Sequence, residues 1–363
     1  MKKVLHLLSA GGAGGIELLC EQIGLRGTAC HEFCFLFGMG EIAERMKDEG
    51  LKTYDFSGFS APIKIKELVA LTRKNKYDAV VVHHEGVGTY FLYRCLIKLC
   101  KGPKYIKYLH CSFEDKFFYT GNNRKDKMHY RLLSKILKES DALIAVSEFT
   151  RQSYVQEFGI SADKIKVVYN GIDISESKEE PGEAGGSEGS TGLLYIGRLV
   201  DVKGVDVLID ALGILSKDHS LHLDILGDGP ARTSLEQKVR DLGLMDTVTF
   251  HGVRLDKEAF FKRAQIFVYP PVWQEAFGIS IIEAMAQGLI CVASDIGGIP
   301  EIITEDKQGI LFEAGNPKSL AEAIDKAATI AKSGVMPEYT EAAKKRAAFF
   351  TIEKSVHGLE SLL

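Results

Sequence analysis

The sequence predicts two α/β domains, each built on a mostly parallel sheet, and three observations predict it. Short apolar runs alternate with stretches of helical periodicity. The alternation breaks once, at residues 175–192, a Ser/Glu/Gly-rich stretch without a single large apolar residue. It then restarts at Leu193 and continues toward the C-terminus. With 363 residues and 45% hydrophobic content, the chain is long enough to bury two cores.

In order, the opening run Met1-Lys-Lys-Val-Leu-His-Leu-Leu8 reads as a first buried strand. Its apolar part is too short for a signal peptide, contains His6 and enters the glycine loop Gly11-Gly-Ala-Gly-Gly15. Further strands are expected at 80–82, 105–109, 142–146 and 166–169, with helical stretches between them. The break cannot bury enough surface to offset its ordering entropy, so residues 173–192 are expected to be a flexible acidic linker between an N-terminal domain, 1–172, and a C-terminal domain, 193–339. After it, strands are expected at 193–196, 222–226, 247–250, 266–269 and 290–293, with a helix at 205–215 and an amphipathic C-terminal helix at about 340–363. In open sheets of this kind a ligand lies beyond the carboxyl ends of the strands.

Two segments carry the chemistry. In Glu275-Ala-Phe-Gly-Ile-Ser-Ile-Ile-Glu283, residues Gly278 to Ser280 read as a first helical turn, and Ile281, Ile282, Met285 and Ala286 as its buried face. Unpaired N–H groups and the positive end of the helix dipole suit a phosphate there, near Gly278 and Ile279. Carboxylates are poor phosphate ligands but good acceptors for vicinal hydroxyls, so Glu275 and Glu283 suggest a phosphate group with a sugar at each end. A plain amphipathic helix with two solvated glutamates has the same spacing; the flanking residues favour the ligand. Some eighty residues earlier, Leu193-Leu-Tyr-Ile-Gly197-Arg198-Leu-Val-Asp201-Val-Lys203-Gly204 runs a strand into a glycine, two cations and a helix. Arg198 offers a planar fork and Lys203 a point charge, a suitable pair for a diphosphate.

On these segments the chain resembles the retaining glycosyltransferases of family 4, glycosyl transferases group 1, over essentially its whole length. Further matching pieces stand in family order: Gly11 to Glu17, His110, Ala145-Val-Ser147-Glu-Phe-Thr150, Val168-Tyr-Asn170-Gly171-Ile-Asp173, Ile225-Leu-Gly227-Asp-Gly229-Pro230, Phe250-His-Gly252-Val253 and Gly297-Gly298-Ile-Pro300-Glu301. The resemblance implies the GT-B fold, with two Rossmann-like domains facing a central cleft, the first binding acceptor and the second nucleotide-sugar. It also implies that the C-terminal helix packs back on the first domain. By position, Arg198 and Lys203 match the residues that hold the donor diphosphate, helped by N–H groups near Gly14, Gly15, Gly278 and Ile279. Gly197 belongs to the same donor motif. Glu283 matches the glutamate on the ribose hydroxyls, Glu275 the one facing the transferred sugar, and Gly229 and Val253 border the base. His110 matches the active-site histidine near the donor sugar, although a lone histidine after a strand is often structural. Glu114 and Asp115 read equally as acceptor contacts or as a solvated turn. His83-His84-Glu85 is a weak candidate for acceptor contact, and neighbouring strand histidines point apart and make a poor metal pair.

The implied reaction is hexosyl transfer with retention, from a nucleotide-sugar, with a UDP-sugar favoured, to a glycan or lipid-linked acceptor in cell-surface polysaccharide or glycoconjugate synthesis. The nucleotide-sugar is a co-substrate; without a D-x-D motif no metal or other cofactor is expected. An inactive nucleotide-sugar-binding partner of another transferase is the alternative. A dinucleotide-dependent oxidoreductase fits less well, because Gly14 is followed by Gly15-Ile-Glu17 rather than x-x-Gly.

Composition narrows the setting. No apolar run approaches the roughly 20 residues needed to span a bilayer. Seven cysteines without a C-x-x-C pair indicate reduced thiols and a cytoplasmic protein. Residues 1–171 carry 26 Lys+Arg against 19 Asp+Glu, so the chain totals of 45 and 49 leave 19 against 30 for the remainder. Basic residues interleaved with aromatic and aliphatic ones at 98–138 fit a peripheral contact with the inner face of a membrane; a solvated helix face is the alternative. With a pI near 6.2 and no recognition motif, nucleic acid is not an expected partner.

Overall fold

Among the described residues of the computed structural model (1–12, 14–113, 123–174, 190–215, 220–254 and 256–363), the strands form two wholly parallel sheets. The first contains β1 (Lys3–Ala10), β2 (Cys30–Gly38), β3 (Lys52–Asp55), β4 (Ala79–Val82), β5 (Lys104–Leu109), β6 (Ala142–Ala145) and β7 (Ile165–Val167), in the order β3-β2-β1-β4-β5-β6-β7. Parallel neighbours need crossovers, supplied by α1 (Gly15–Arg26), α2 (Glu41–Asp48), α3 (Ala61–Asn75), α4 (Val87–Leu99), α5 (Asn123–Glu139) and α6 (Glu148–Phe158). Both sheet faces are covered, which explains the nearly unbroken apolar strands. Along β1, Leu5 and Leu7 join a core with Val80, Val82, Leu109 and Leu143, while Leu8 joins Cys20, Phe33, Phe35 and Met46 on the opposite face. His6, alternating with Leu5 and Leu7, lies on the second face and stacks on Phe33.

The second sheet holds β8 (Thr191–Ile196), β9 (Leu221–Leu226), β10 (Val248–Gly252), β11 (Ile266–Tyr269), β12 (Ile290–Ser294) and β13 (Ile310–Phe312), in the order β10-β9-β8-β11-β12-β13. Its helices are α7 (Val205–Leu215), α8 (Arg232–Asp241), α9 (Glu258–Arg263), α10 (Ile279–Ala286), α11 (Pro317–Ala331) and α12 (Met336–Ala347). The chain divides into one compact unit of Met1–Asp173 with Thr351–Leu363, and a second of Ile174–Phe350. Most of the expected linker, 175–189, lies outside the described residues; Thr191 and Gly192, expected to end it, are instead the first residues of β8.

The expected C-terminal helix is two helices. α12 packs on α10 in the second unit, and α13 (Ile352–Glu360) packs on α1 in the first. The break falls at Thr351, whose side chain caps α13 by accepting from Lys354 N–H. Where the chain re-enters the first unit, Ile352 N–H donates to Ile172 O at 3.0 Å. A Cβ on Gly171 would stand 2.1 Å from Thr351 O, so this pairing requires the glycine of the Asn170-Gly171 motif.

Candidate active site

In the second unit, the loops after β8 and β9 lie main chain against main chain. Gly197 N–H donates to Leu226 O (3.0 Å) and Leu199 N–H to Asp228 O (2.9 Å). A Cβ on Gly227, whose φ is +144°, would sit 1.8 Å from Gly197 O, and one on Gly229 would sit 2.3 Å from Leu199 O. No side chain fits at either glycine. Arg198 therefore stands on a backbone held from both sides, with its carbonyl accepting from Tyr195 Oη at 3.1 Å.

Lys203 closes a short turn ended by Gly204, which is left-handed and would bring a Cβ within 1.9 Å of Pro270 O. Val272 N–H donates to Val202 O (3.0 Å), which ties this turn to the loop after β11. The result is a compact charge cluster. Lys203 Nζ donates to Tyr269 Oη at 2.9 Å and to Glu275 Oε2, and Tyr269 Oη donates to the same carboxylate oxygen at 2.7 Å. Burial opposes both charges, but the pairing prevails. Against it, Glu275 and Tyr269 hold the Lys203 pKa well above its ordinary value. Burial likewise pushes the Glu275 carboxyl up, and Lys203, Tyr269 O–H and Ala276 N–H together bring it below the usual carboxylate range. Both groups are therefore ionised at neutral pH. Burial, with Tyr269 and Glu275, raises the nearby Tyr195 phenol, while Lys203 and Arg198 act in the opposite sense, so Arg198 shares this neighbourhood.

The backbone of Glu275 is fixed by the Gly297-Gly298 turn: Gly298 N–H donates to Glu275 O at 2.8 Å, and a Cβ on Gly297 would lie 2.2 Å from that oxygen. Three residues on, Gly278 corrects the expected first helical turn. It is the N-cap of α10, in the left-handed region with φ +106°, and the helix begins at Ile279. No side chain caps this terminus. Within α10, both oxygens of Glu283 accept from Lys257 Nζ, at 3.0 and 3.1 Å. Sequence reasoning missed Lys257, a lone lysine before α9 with no motif around it. Val253, just past β10, is 62% exposed.

Gly14, Gly15 and His110 belong to the first unit. Gly14 is the N-cap of α1 and Gly15 its first residue; a Cβ on Gly14 would meet Glu17 Oε2 at 2.3 Å. His110 Nε2 is 3.0 Å from His83 Nδ1, and its ring stacks on Tyr108 at 4.3 Å between centroids. Burial, reinforced by Lys107 and His84, keeps His110 neutral by lowering its pKa. The neighbours in His83-His84-Glu85 diverge: His83 meets His110, His84 Nε2 meets Glu17 at 3.0 Å, and Glu85 meets the fully buried Lys107 at 2.8 Å. Glu114 and Asp115 lie outside the described residues.

Comparison with known proteins follows the same division. The family model for "Glycosyltransferase Family 4" matches residues 41–176 and that for "Glycosyl transferases group 1" residues 176–346. An uncharacterized glycosyltransferase of Methanocaldococcus jannaschii is 33% identical over 264 residues, covering 69% of this chain and 66% of that protein. The D-inositol 3-phosphate glycosyltransferase of Paenarthrobacter aurescens is 30% identical over 203 residues, 53% of this chain and 50% of that one. The chain thus spans between half and two thirds of these two relatives. Among solved structures, Anabaena HepE in complex with UDP-glucose superposes with a TM-score of 0.84 at 21% identity, covering 100% of both chains.

Proposed function

From the premise that the chain belongs to the family 4 glycosyltransferases of the group 1 type, with the GT-B fold, we propose that it transfers a hexosyl group from a UDP-sugar to a glycan or lipid-linked acceptor, with retention and without a metal. The observation that carries this reading is the Lys203–Tyr269–Glu275 cluster beside Arg198. A Cβ on Gly278, at the α10 N-terminus, would contact Tyr269, so the helix end lies against the same cluster.

Breaking the bond between the anomeric carbon and the diphosphate oxygen leaves the electron pair, and a growing negative charge, on the diphosphate. An ammonium has three protons; Glu275 and Tyr269 take two of those on Lys203, and the third is directed to a phosphate oxygen. Because the pair holds Lys203 protonated, its charge persists as the leaving group charges up. Arg198 supplies a bidentate contact to the same group, and the α10 N-terminus adds N–H donors and its dipole. Glu283 accepts the ribose hydroxyls, positioned by Lys257. Acceptor attacks from the face the leaving group vacates, and its hydroxyl proton passes to the departing phosphate oxygen, so bonds and charge balance without a protein nucleophile. Uracil is favoured as the base because HepE was solved with UDP-glucose. The exposed side of α5, with Lys127, Arg131, Lys135 and Lys138 beside Met128, gives a basic surface for an anionic lipid-linked acceptor; Leu133, Ile136 and Leu137 of the same helix are buried in the core. Among the described residues, no helix is long and apolar enough to cross a membrane.

The test is a thermal-shift screen of UDP- and GDP-sugars. A ligand at 100 times its Kd adds about 2.7 kcal/mol of stability. A UDP-sugar should raise the melting temperature in wild type and not in Glu283→Ala. A well-folded protein that responds to no nucleotide-sugar would refute the reading.

A further inference from the structure

Four histidine rings form a continuous hydrogen-bonded chain across the first sheet. They sit on or just beyond strands that are successive neighbours, β2, β1, β4 and β5, on the face covered by α1 and α13. From the C-terminal helix inward, Glu360 Oε1 is 3.1 Å from His31 Nε2, His31 Nδ1 is 2.8 Å from His6 Nε2, His6 Nδ1 is 2.8 Å from His83 Nε2, and His83 Nδ1 is 3.0 Å from His110 Nε2. His6 and His83 are fully buried and His31 is 6% exposed.

The polarity of this chain follows from its first member. Glu360 also accepts from Thr28 Oγ1–H at 2.6 Å and Ala29 N–H at 2.7 Å. Burial alone would raise its pKa; those donors, with His31, bring it below the usual range, so Glu360 is an anion and can only accept. His31 must then carry its proton on Nε2. Burial is the largest influence on all four rings and disfavours a second proton on any of them. In a neutral imidazole the nitrogen that does not donate accepts. The requirement therefore passes ring by ring: His6, His83 and His110 each donate from Nε2 and accept at Nδ1. Cys20, whose sulfur lies within 4.8 Å of ligating nitrogens of His6 and His83, does not turn the group into an evident metal site, because both nitrogens of each ring are already used in the chain.

We propose that Glu360, through His31, His6 and His83, fixes the tautomer of His110, so that His110, just past the carboxyl end of β5, presents Nδ1 as a hydrogen-bond acceptor to a hydroxyl-bearing ligand. Glu360, His31, His6 and His83 are positioning residues. That the ligand is a reactant rests on the proposed function above; the wiring does not.

The test is a long-range proton–nitrogen correlation spectrum of the full chain with nitrogen-15 histidine, without donor, at pH 7.5, the His110 ring being assigned by its loss in His110→Gln. The expected wild-type result is one neutral tautomer with the proton on Nε2. In Glu360→Leu and in His31→Phe, which cut the chain on different elements, the His110 ring should become a mixture of tautomers. A proton on Nδ1 in wild type, or an unchanged His110 tautomer in both folded variants, would overturn the wiring. With a donor identified, both variants should lose three-fold or more in kcat at unchanged donor KM; an unchanged kcat alongside a scrambled tautomer would overturn the role of His110 in turnover alone.

Discussion

Replacing Lys203 by methionine isolates the charge cluster of the second unit. The substitution keeps the aliphatic stem and removes the ammonium, leaving Glu275 with Tyr269 O–H and Ala276 N–H as donors but without a cation. Removing one partner of a buried ion pair costs about 3–5 kcal/mol. The Lys203 and Glu275 side chains are 18% and 16% exposed, and two donors remain, so the lower end, about 3 kcal/mol, applies. For a unit of this size that is a fall of about 6–12 °C in melting temperature. The cost should depend on pH. In wild type the depressed Glu275 pKa contributes stability that is present above the unfolded carboxylate pKa and lost as pH falls through the folded one. Without Lys203, burial raises the Glu275 pKa instead, so the carboxylate destabilises the variant above about pH 4.3, and the deficit narrows below it. Glu275→Gln added to Lys203→Met should recover about 2 kcal/mol relative to the sum of the single changes. Urea unfolding followed by fluorescence reads this unit directly, because the chain's one tryptophan, Trp273, lies in the loop after β11. A Lys203→Met deficit below about 1 kcal/mol, or additivity within about 0.5 kcal/mol, would refute the buried-pair argument.

Three further outcomes follow from the same geometry. Gly227→Ala puts a Cβ 1.8 Å from Gly197 O at a φ of +144° and should cost about 2 kcal/mol or more by urea unfolding, whereas Gly334→Ala, with no atom within 4 Å, should stay near zero. Arg198→Ala should lower kcat by about 10²–10³, the loss of one preorganised contact to developing charge, and Arg198→Lys should restore only part of it because the bidentate fork is gone. Lys257→Met should raise the KM for nucleotide-sugar about five- to ten-fold with kcat little changed, roughly 1–1.4 kcal/mol of ground-state positioning of Glu283.

The parts of this molecule that were legible in the sequence are those written locally. Ile266–Tyr269 and Val205–Leu215 have their expected bounds because an uninterrupted apolar run and a 3.6-residue period are properties of neighbouring residues. Cys30–Gly38, Lys52–Asp55 and Ile310–Phe312 were not singled out; the second is half exposed and the third has three residues, too short to show a period. Motif order led to Arg198, Lys203, Glu275 and Glu283, but not to their partners. Tyr269 ended an expected strand, yet its hydroxyl acquires a role only when the Lys203 turn folds onto Pro270. Lys257 and the histidine chain depend on sheet order: His31, His6, His83 and His110 are adjacent only because β2, β1, β4 and β5 are. The one available signal was that His6, His83 and His110 lie in or just past expected strands; His31 lies in one that was not singled out. Gly278 was misread for a different reason: its left-handed φ is a backbone property that a helical pattern in the flanking residues conceals.

The most direct test of the central claim is a measurement of nucleoside diphosphate release from the UDP-sugar that stabilises the protein, with and without added acceptor, and with EDTA present throughout. The account predicts slow release without acceptor, faster release with it, no effect of EDTA, and loss of release in Arg198→Ala. Tight binding of the nucleotide-sugar without release, under every acceptor tested, would contradict it and leave the chain a binding partner rather than a transferase.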